Sequence, residues 1–331
     1  MKWPTEAANA ARLYPYKKVV AMSIFLSPAV SVMNRLSVQG KMALLGLIAL
    51  VPVAVLAFML LDRIQGDITF TQKETHTVPL VMPARQLMQA VQAHRGVAQT
   101  VIGGNTALSG RLAELREQVA AAIKAGDAID ALEGEIVGTS REWQAVRQGW
   151  ESVQAKALGV SGPESFRLHS DYIAKIGDFI THTADLTNAT LDPELETYYL
   201  MDLFTARMPG LAEDAGRARA LGTGLAVRQM STEGERIDMN VLLRRLADGR
   251  AAIEASISKA GSNEVSLKDL LNAPRVVFDN NAKAFLELAE RDLLKPAGIS
   301  VVPTQVFDAG SKVVDSAYVL FDVSAKEFDL R

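Results

Sequence analysis

Residues 42–61 read MALLGLIALVPVAVLAFMLL, twenty positions without one charge. At about 1.5 Å per residue, a helix of that length reaches roughly 30 Å, the thickness of a bilayer's hydrocarbon core. A transmembrane helix is therefore expected from Met42 to Leu61. Pro52 lies mid-span, which membrane helices tolerate when neighbouring groups satisfy the freed backbone. A cleaved signal peptide is the rival reading. Its apolar region normally runs about 7–15 residues and ends in a small-residue cleavage site. Here the run is longer and closes as LAFMLLDRIQ, with no A-x-A pattern, so a retained anchor is expected.

Upstream of the anchor, residues 1–41 carry Lys2, Arg12, Lys17, Lys18, Arg35 and Lys41 against one acid, Glu6. Downstream come Asp62, Arg63 and Asp67. The positive-inside rule then places the leader in the cytoplasm and residues 62–331 beyond the membrane. For a bacterial inner membrane that side is the periplasm. Met33 opens the compact basic leader MNRLSVQGKMALL, so it is a candidate start, with residues 1–32 a candidate mis-assigned extension.

The chain carries a net charge of −3, which gives no footprint for nucleic acid. Cysteine is absent, so neither a disulfide framework nor a thiolate metal site exists. Four histidines occur, His76, His94, His169 and His182, and none makes an HExxH-like pair. GxSxG, GxGxxG and Walker A patterns are missing too, so no enzyme and no cofactor is expected. Alanine, leucine and valine dominate and aromatics make up 6%, a balance that favours helices over sheet.

Period and punctuation predict the helices. The anchor helix continues to about His76, and Pro79 and Pro83 interrupt it. Ala84 to Ile102 follows, with Leu87, Met88, Val91, Ala98, Val101 and Ile102 on one stripe, closed by Gly103-Gly104-Asn105. Another helix covers 106–125, after which Gly126 and Gly134–Gly138 loosen the chain. Trp143 and Trp150, seven apart, are core anchors of a helix over 139–158. Glu164 to Asn188 repeats apolar residues at spacings of three and four. Asp192 is read as the cap of the next helix, with Pro193 in its first position, running to Gly222 with a kink at Pro209. Helices over 233–259 and 265–293 follow, stopped by Gly261 and by Lys295-Pro296. The last begins at Pro303-Thr304, and its stripe Val306, Gly310, Val313, Val314, Ala317, Phe321, Ala325 and Phe328 is still in register near Arg331. That pattern is read as truncation before a second transmembrane helix.

No segment alternates with period two long enough to argue a strand. The expected fold is all-α: one transmembrane helix, then an extracytoplasmic antiparallel helical bundle of two four-helix modules. Within it, Arg95 is the unusual charge, lying mid-stripe along 87, 91, 95, 98, 102. A buried arginine needs an anionic partner. That partner is either an acid from another helix or an anionic ligand. Gly96 leaves room for either.

Two stretches carry a family resemblance. VQAHRGVAQTVIGGN, residues 91–105, resembles the xQxxRGxSxxxLxGN-type helix of periplasmic four-helix sensor domains related to nitrate- and nitrite-sensing domains. LTNATLDPELETYYLMDLFTARMPGLAEDAGRARALGTG, residues 186–224, is similar to a segment of proteobacterial transmembrane sensors, methyl-accepting chemotaxis receptors among them. MNRLSVQGKMALL also looks like the start of a chemotaxis receptor. His94 stands where nitrate-sensing domains have Glu, and Ala98 where Ser is usual. The resemblance implies the sensor part of a chemotaxis receptor, homodimeric and bilayer-anchored, with a small anionic ligand. A membrane diguanylate cyclase or histidine kinase is the alternative output, and a ligand-free structural bundle the alternative class. The candidate ligand-binding residues are Arg95, Arg219, Arg228, His94 and Tyr198. Arg219 lies with Arg217 in the second resembling stretch, and Arg228 on the stripe through Leu221 and Leu225.

Overall fold

In a computed structural model the described residues are 27, 28, 30–104, 109–262, 264–295 and 298–331, and among them every regular element is helical. The leader reading of residues 1–26, Asn105 as a stop, a helix start at 106 and Pro296 as a stop all fall outside the described residues. The chain divides into two compact units, residues 1–68 and 69–331.

The first unit contains most of α1, Val38–Glu74. None of its residues is buried; Leu45, Leu56 and Phe58 stand 55%, 65% and 70% exposed. A helix apolar on every side has no core face to offer a protein, which is the pattern of a lipid-facing helix. Among the described residues it is the one helix long and apolar enough to cross a membrane.

The second unit is built from α2 (Thr77–Ile102), α3 (Ser109–Ile129), α4 (Ser140–Lys156), α5 (Gly162–Leu186), α6 (Leu195–Asp202), α7 (Met208–Arg228), α8 (Glu233–Ala260), α9 (Val265–Ala289) and α10 (Pro303–Asp329). Three π turns widen the path: Asp130–Gly134 after α3, Leu203–Arg207 between α6 and α7, and Glu290–Leu294 after α9. Helix α2 packs on α3 and α5, and α5 on α4. Helix α7 packs on α8 and α10, and α9 on α8 and α10; α2 also touches α7 and α10. Thr77 at the start of α2 bonds Thr187 just beyond α5 at 2.7 Å, while Gln99 near the end of α2 reaches the Gly162 carbonyl at 2.9 Å. Helices α2 and α5 are therefore antiparallel.

One cluster of buried apolar side chains runs through these helices. Trp143 and Trp150 sit in it at 3% and 5% exposure, as their seven-residue spacing implies. Phe204 meets Phe321 and Phe328 edge-on, centroids 5.8 and 5.4 Å apart. Each such side chain contributes about 1.5–3 kcal/mol of burial. The α10 stripe from Val306 to Phe328 is buried at every predicted position.

Helix ends differ from expectation where local chemistry competes. Helix α2 starts at Thr77 and not at Ala84: Pro79 falls in the first turn, whose N–H groups have no partner anyway, and Pro83 is carried inside the helix. Asp192 is not the α6 cap. It accepts from the Glu194 N–H at 2.8 Å, and α6 opens two residues later than expected, at Leu195, with Glu194 in the cap position. The expected kink at Pro209 appears one turn earlier as the π turn Leu203–Arg207, and α7 then continues past Gly222 to Arg228. Helix α8 has a capping box: Glu235 N–H to Thr232 Oγ1 at 3.2 Å, and Thr232 N–H to Glu235 Oε2 at 2.9 Å.

Gly126 does not loosen the chain. It lies within α3 directly under the Trp143 ring, where an added Cβ would stand 2.0 Å from Cζ2. Gly126→Ala should therefore lower the midpoint of chemical denaturation. Helix propensity alone would raise stability by about 1 kcal/mol, but overpacking against an indole costs about 1–3 kcal/mol. A midpoint at or above that of the native protein, with the helical circular dichroism kept, would show that Trp143 has room to move.

Candidate functional site

The polar interior starts on α2. Arg95 is 1% exposed. Its guanidinium donates from Nη1 to Glu213 Oε1 at 2.6 Å and from Nη2 to Oε2 at 3.0 Å, with a further bond to Ser170 Oγ at 2.8 Å. The Phe166 ring lies 4.7 Å from its Cζ. Gln92, one turn earlier, donates to Glu213 Oε2 at 3.1 Å and accepts from the Tyr318 hydroxyl at 3.0 Å. The arginine's anionic partner is thus an acid from α7. Arg95 is a structural ion-pair member, and a ligand there would have to displace Glu213.

Arg219, from α7, has a different environment. It is 8% exposed, and among the described residues no carboxylate pairs with it. It donates to Ser311 Oγ at 2.9 Å and lies 5.0 Å from the Phe307 ring. Burial first, and then the neighbouring Arg95, hold its guanidinium below the ordinary arginine range; Asp315 and Glu213 act the other way. Glycines face both guanidinium groups, and one of them, Gly310, leaves no room for a side chain. A Cβ at Gly96 would stand 3.7 Å from Arg219 Nη2, one at Gly216 would stand 3.4 Å from Arg95 Nη2, and one at Gly310 would meet the Arg219 stem at 2.5 Å. The Arg-Gly pair on α2 and the Gly-x-x-Arg pair on α7 thus face each other reciprocally.

Arg219 opens into a cleft of about 470 Å³ between α2, α3, α7 and α10. Helix α2 supplies Arg85, Gln86, Gln89 and Gln92 to its wall; α3 supplies Arg111, Leu115 and Gln118; α10 supplies Val314 and Asp315. Arg85 is occupied by Asp322 at 2.7 Å, by Gln89 at 2.8 Å and by the Tyr318 ring at 4.6 Å. Arg111, at the rim, pairs with Glu114 at 2.7 Å. Three arginines therefore line the cleft against one carboxylate, Asp315. Glutamine amides add donors between them. Such a wall suits a small anion with several acceptor oxygens.

The other predicted residues lie elsewhere. His94 is 1% exposed and points to α5, where its Nδ1 lies 2.8 Å from His169 Nε2 and its ring stands edge-on to Trp150. His169 Nδ1 donates to the Ser165 carbonyl at 2.7 Å, so its Nε2 accepts from His94 Nδ1 and both rings are neutral. That tautomer leaves His94 Nε2 as a buried acceptor without a partner among the described residues. Arg228 is an exposed member of an ion pair with Glu235 beside the α8 cap. Tyr198 is 38% exposed and packs edge-on against Tyr199. None of the three lines the cleft.

Of the residues that line this cleft, sequence reasoning named Arg219 and did not name Arg85, Gln89, Arg111 or Asp315. A signal for part of this existed: Arg85, Gln89 and Gln92 recur at spacings of four and three, a polar row beside the apolar stripe of α2. Among the described residues no cluster of His, Cys, Asp or Glu could hold a metal ion. No protein-family profile, curated protein or solved structure matches the chain.

The histidine pair makes stability depend on pH. Burial, first among the causes for each, pushes His94 down to about 3 and His169 down to about 4, from an ordinary 6.5. The unfolded chain takes up these protons below about pH 6.5 and the folded chain does not. Their stabilisation is therefore complete above that pH and is lost as pH falls towards 4, by up to about 1.4 kcal/mol per pH unit for each ring. Glu74, pushed up to about 7 by burial and Asp192, acts in the opposite sense. Urea unfolding of the native chain and of His94→Gln/His169→Gln should show a shallower acid-side fall in the double variant. Parallel curves would mean that the pair titrates normally.

Proposed function

We propose that this chain is the ligand-sensing, extracytoplasmic part of a transmembrane signal receptor, of the chemotaxis type that its sequence resembles. The observation that carries the reading is Arg219: a cation 8% exposed, lining a cleft, without a carboxylate in ion-pair contact among the described residues. A buried charge in that state is stabilised by an anion that arrives from outside. The lipid-facing pattern of α1 and the basic leader support a bilayer anchor with the second unit outside the cytoplasm. Helix α2, which follows the anchor helix, and α10 both line the cleft, so a ligand there bears on both. The second unit is read as two antiparallel four-helix groups, α2–α5 and α7–α10, joined along the α2, α7 and α10 contacts. One observation favours the alternative of a ligand-free anchored bundle: Arg95 is fully satisfied inside the protein.

The test uses the full chain in lipid nanodiscs. A panel of nitrate, nitrite and small mono- and dicarboxylates should contain at least one compound that raises thermal stability. The gain is about 2.7 kcal/mol at a hundredfold excess over Kd. Arg219→Gln should lose that shift while keeping its helical signal. A panel without a stabiliser, or an equal shift in the variant, would remove the ligand and leave the structural bundle.

Topology is checked separately. A reporter active only outside the cytoplasm, fused after Arg331, should be active. Activity of a cytoplasm-only reporter at the same point would overturn the sensor reading altogether.

A further inference from the structure

The cleft contains its own competitor for an anion. Glu213 is fully engaged, Oε1 by Arg95 and Oε2 by Arg95 and Gln92. Of the two acids that act on Arg219, only Asp315 then has charge to spare. Asp315 lines the same cleft, sits at its mouth with solvent access, and takes part in no ion pair among the described residues. The groups that act on it are Arg219 from α7 and Gln89 from α2, while Arg85 from α2 and Arg111 from α3 line the same cleft. Asp322 lies two turns further along α10, where it is held by Arg85.

An anion entering this space shares Arg219 with a second negative charge and is repelled by it. Protonation of the Asp315 carboxylate removes the repulsion and turns the group into a hydrogen-bond donor towards the ligand. We propose that Asp315 gates the cleft: a small anion binds together with one proton from solvent, which the Asp315 carboxylate takes up. The inference rests on the reading of the cleft as an anion site. The unliganded state already leans this way, since partial burial raises the Asp315 carboxyl, opposed by Arg219 and by a hydrogen bond from Gln89. A bound anion adds to the same direction.

The experiment titrates full chain in nanodiscs with 1,2-ethanedisulfonate, a dianion that does not itself titrate between about pH 5 and pH 8. Calorimetry in two buffers of different protonation enthalpy counts protons taken up. The native chain should bind more tightly as pH falls, by up to about tenfold per pH unit while a whole proton is taken up. Asp315→Asn should bind at pH 8 several-fold more tightly than the native chain, with little pH dependence, and Asp315→Ser should behave alike. Arg219→Gln should not bind. Binding that is independent of pH in the native chain, and no tighter in Asp315→Asn, would overturn the gate and leave the anion site standing. Absence of binding in both folded proteins at every pH would overturn the site and the gate together.

Discussion

Most of the second unit hangs on one ion pair. Arg95 and Glu213 join α2 to α7, Ser170 brings in α5, and the chain of Gln92 and Tyr318 brings in α10. Apolar contacts between helices are non-directional and tolerate exchange of one hydrophobe for another of similar volume. A bidentate guanidinium–carboxylate contact at 2.6 and 3.0 Å does not. Taking both charges out of water costs several kcal/mol each, and their attraction roughly returns it. The pair therefore adds little net stability, but it penalises every register in which either charge is buried alone. Four helices are aligned by that penalty.

The same pair sets up the cleft. Glu213 acts on both arginines, and its two oxygens are committed to Arg95 and Gln92. Among the described residues Arg219 is left with one hydroxyl acceptor and an aromatic face, and with no carboxylate in ion-pair contact. Gly310 is the glycine that this arrangement requires, because a Cβ there would meet the Arg219 stem at 2.5 Å. A network complete on one side and without a carboxylate contact on the other is the asymmetry on which the proposed anion site rests.

Much of the fold was legible in the sequence. The anchor stretch, the periodic helices α5 and α10, the Gly261 stop and the two tryptophans all express local rules: length, period, cap and spacing. The misplaced starts of α2 and α6 come from proline and aspartate, each of which is compatible with two local structures that only tertiary packing separates. The candidate site was half legible for a different reason. Arg95 and Arg219 look alike in sequence, each beside or near a glycine within an apolar stretch. Which one is neutralised depends on an acid 118 positions from Arg95, and no local pattern announces that choice. Gly126 teaches the same lesson: a residue that usually breaks helices is there to admit an indole from the next helix.

The π turn Leu203–Arg207 has a consequence for how α6 and α7 relate. A π turn holds one residue more than an α turn, and one residue of helix is worth about 100° of rotation. Helices α6 and α7 follow one another along a common path, yet their faces are out of phase, so Tyr198 and Arg219 cannot be placed on one wheel. The extra residue acts as a phase shifter. It lets α6 present Leu200 and Met201 to the core while α7 independently turns Glu213 and Arg219 inward. Removing a single residue from this turn would leave both helices intact as helices and point the arginine away from the cleft.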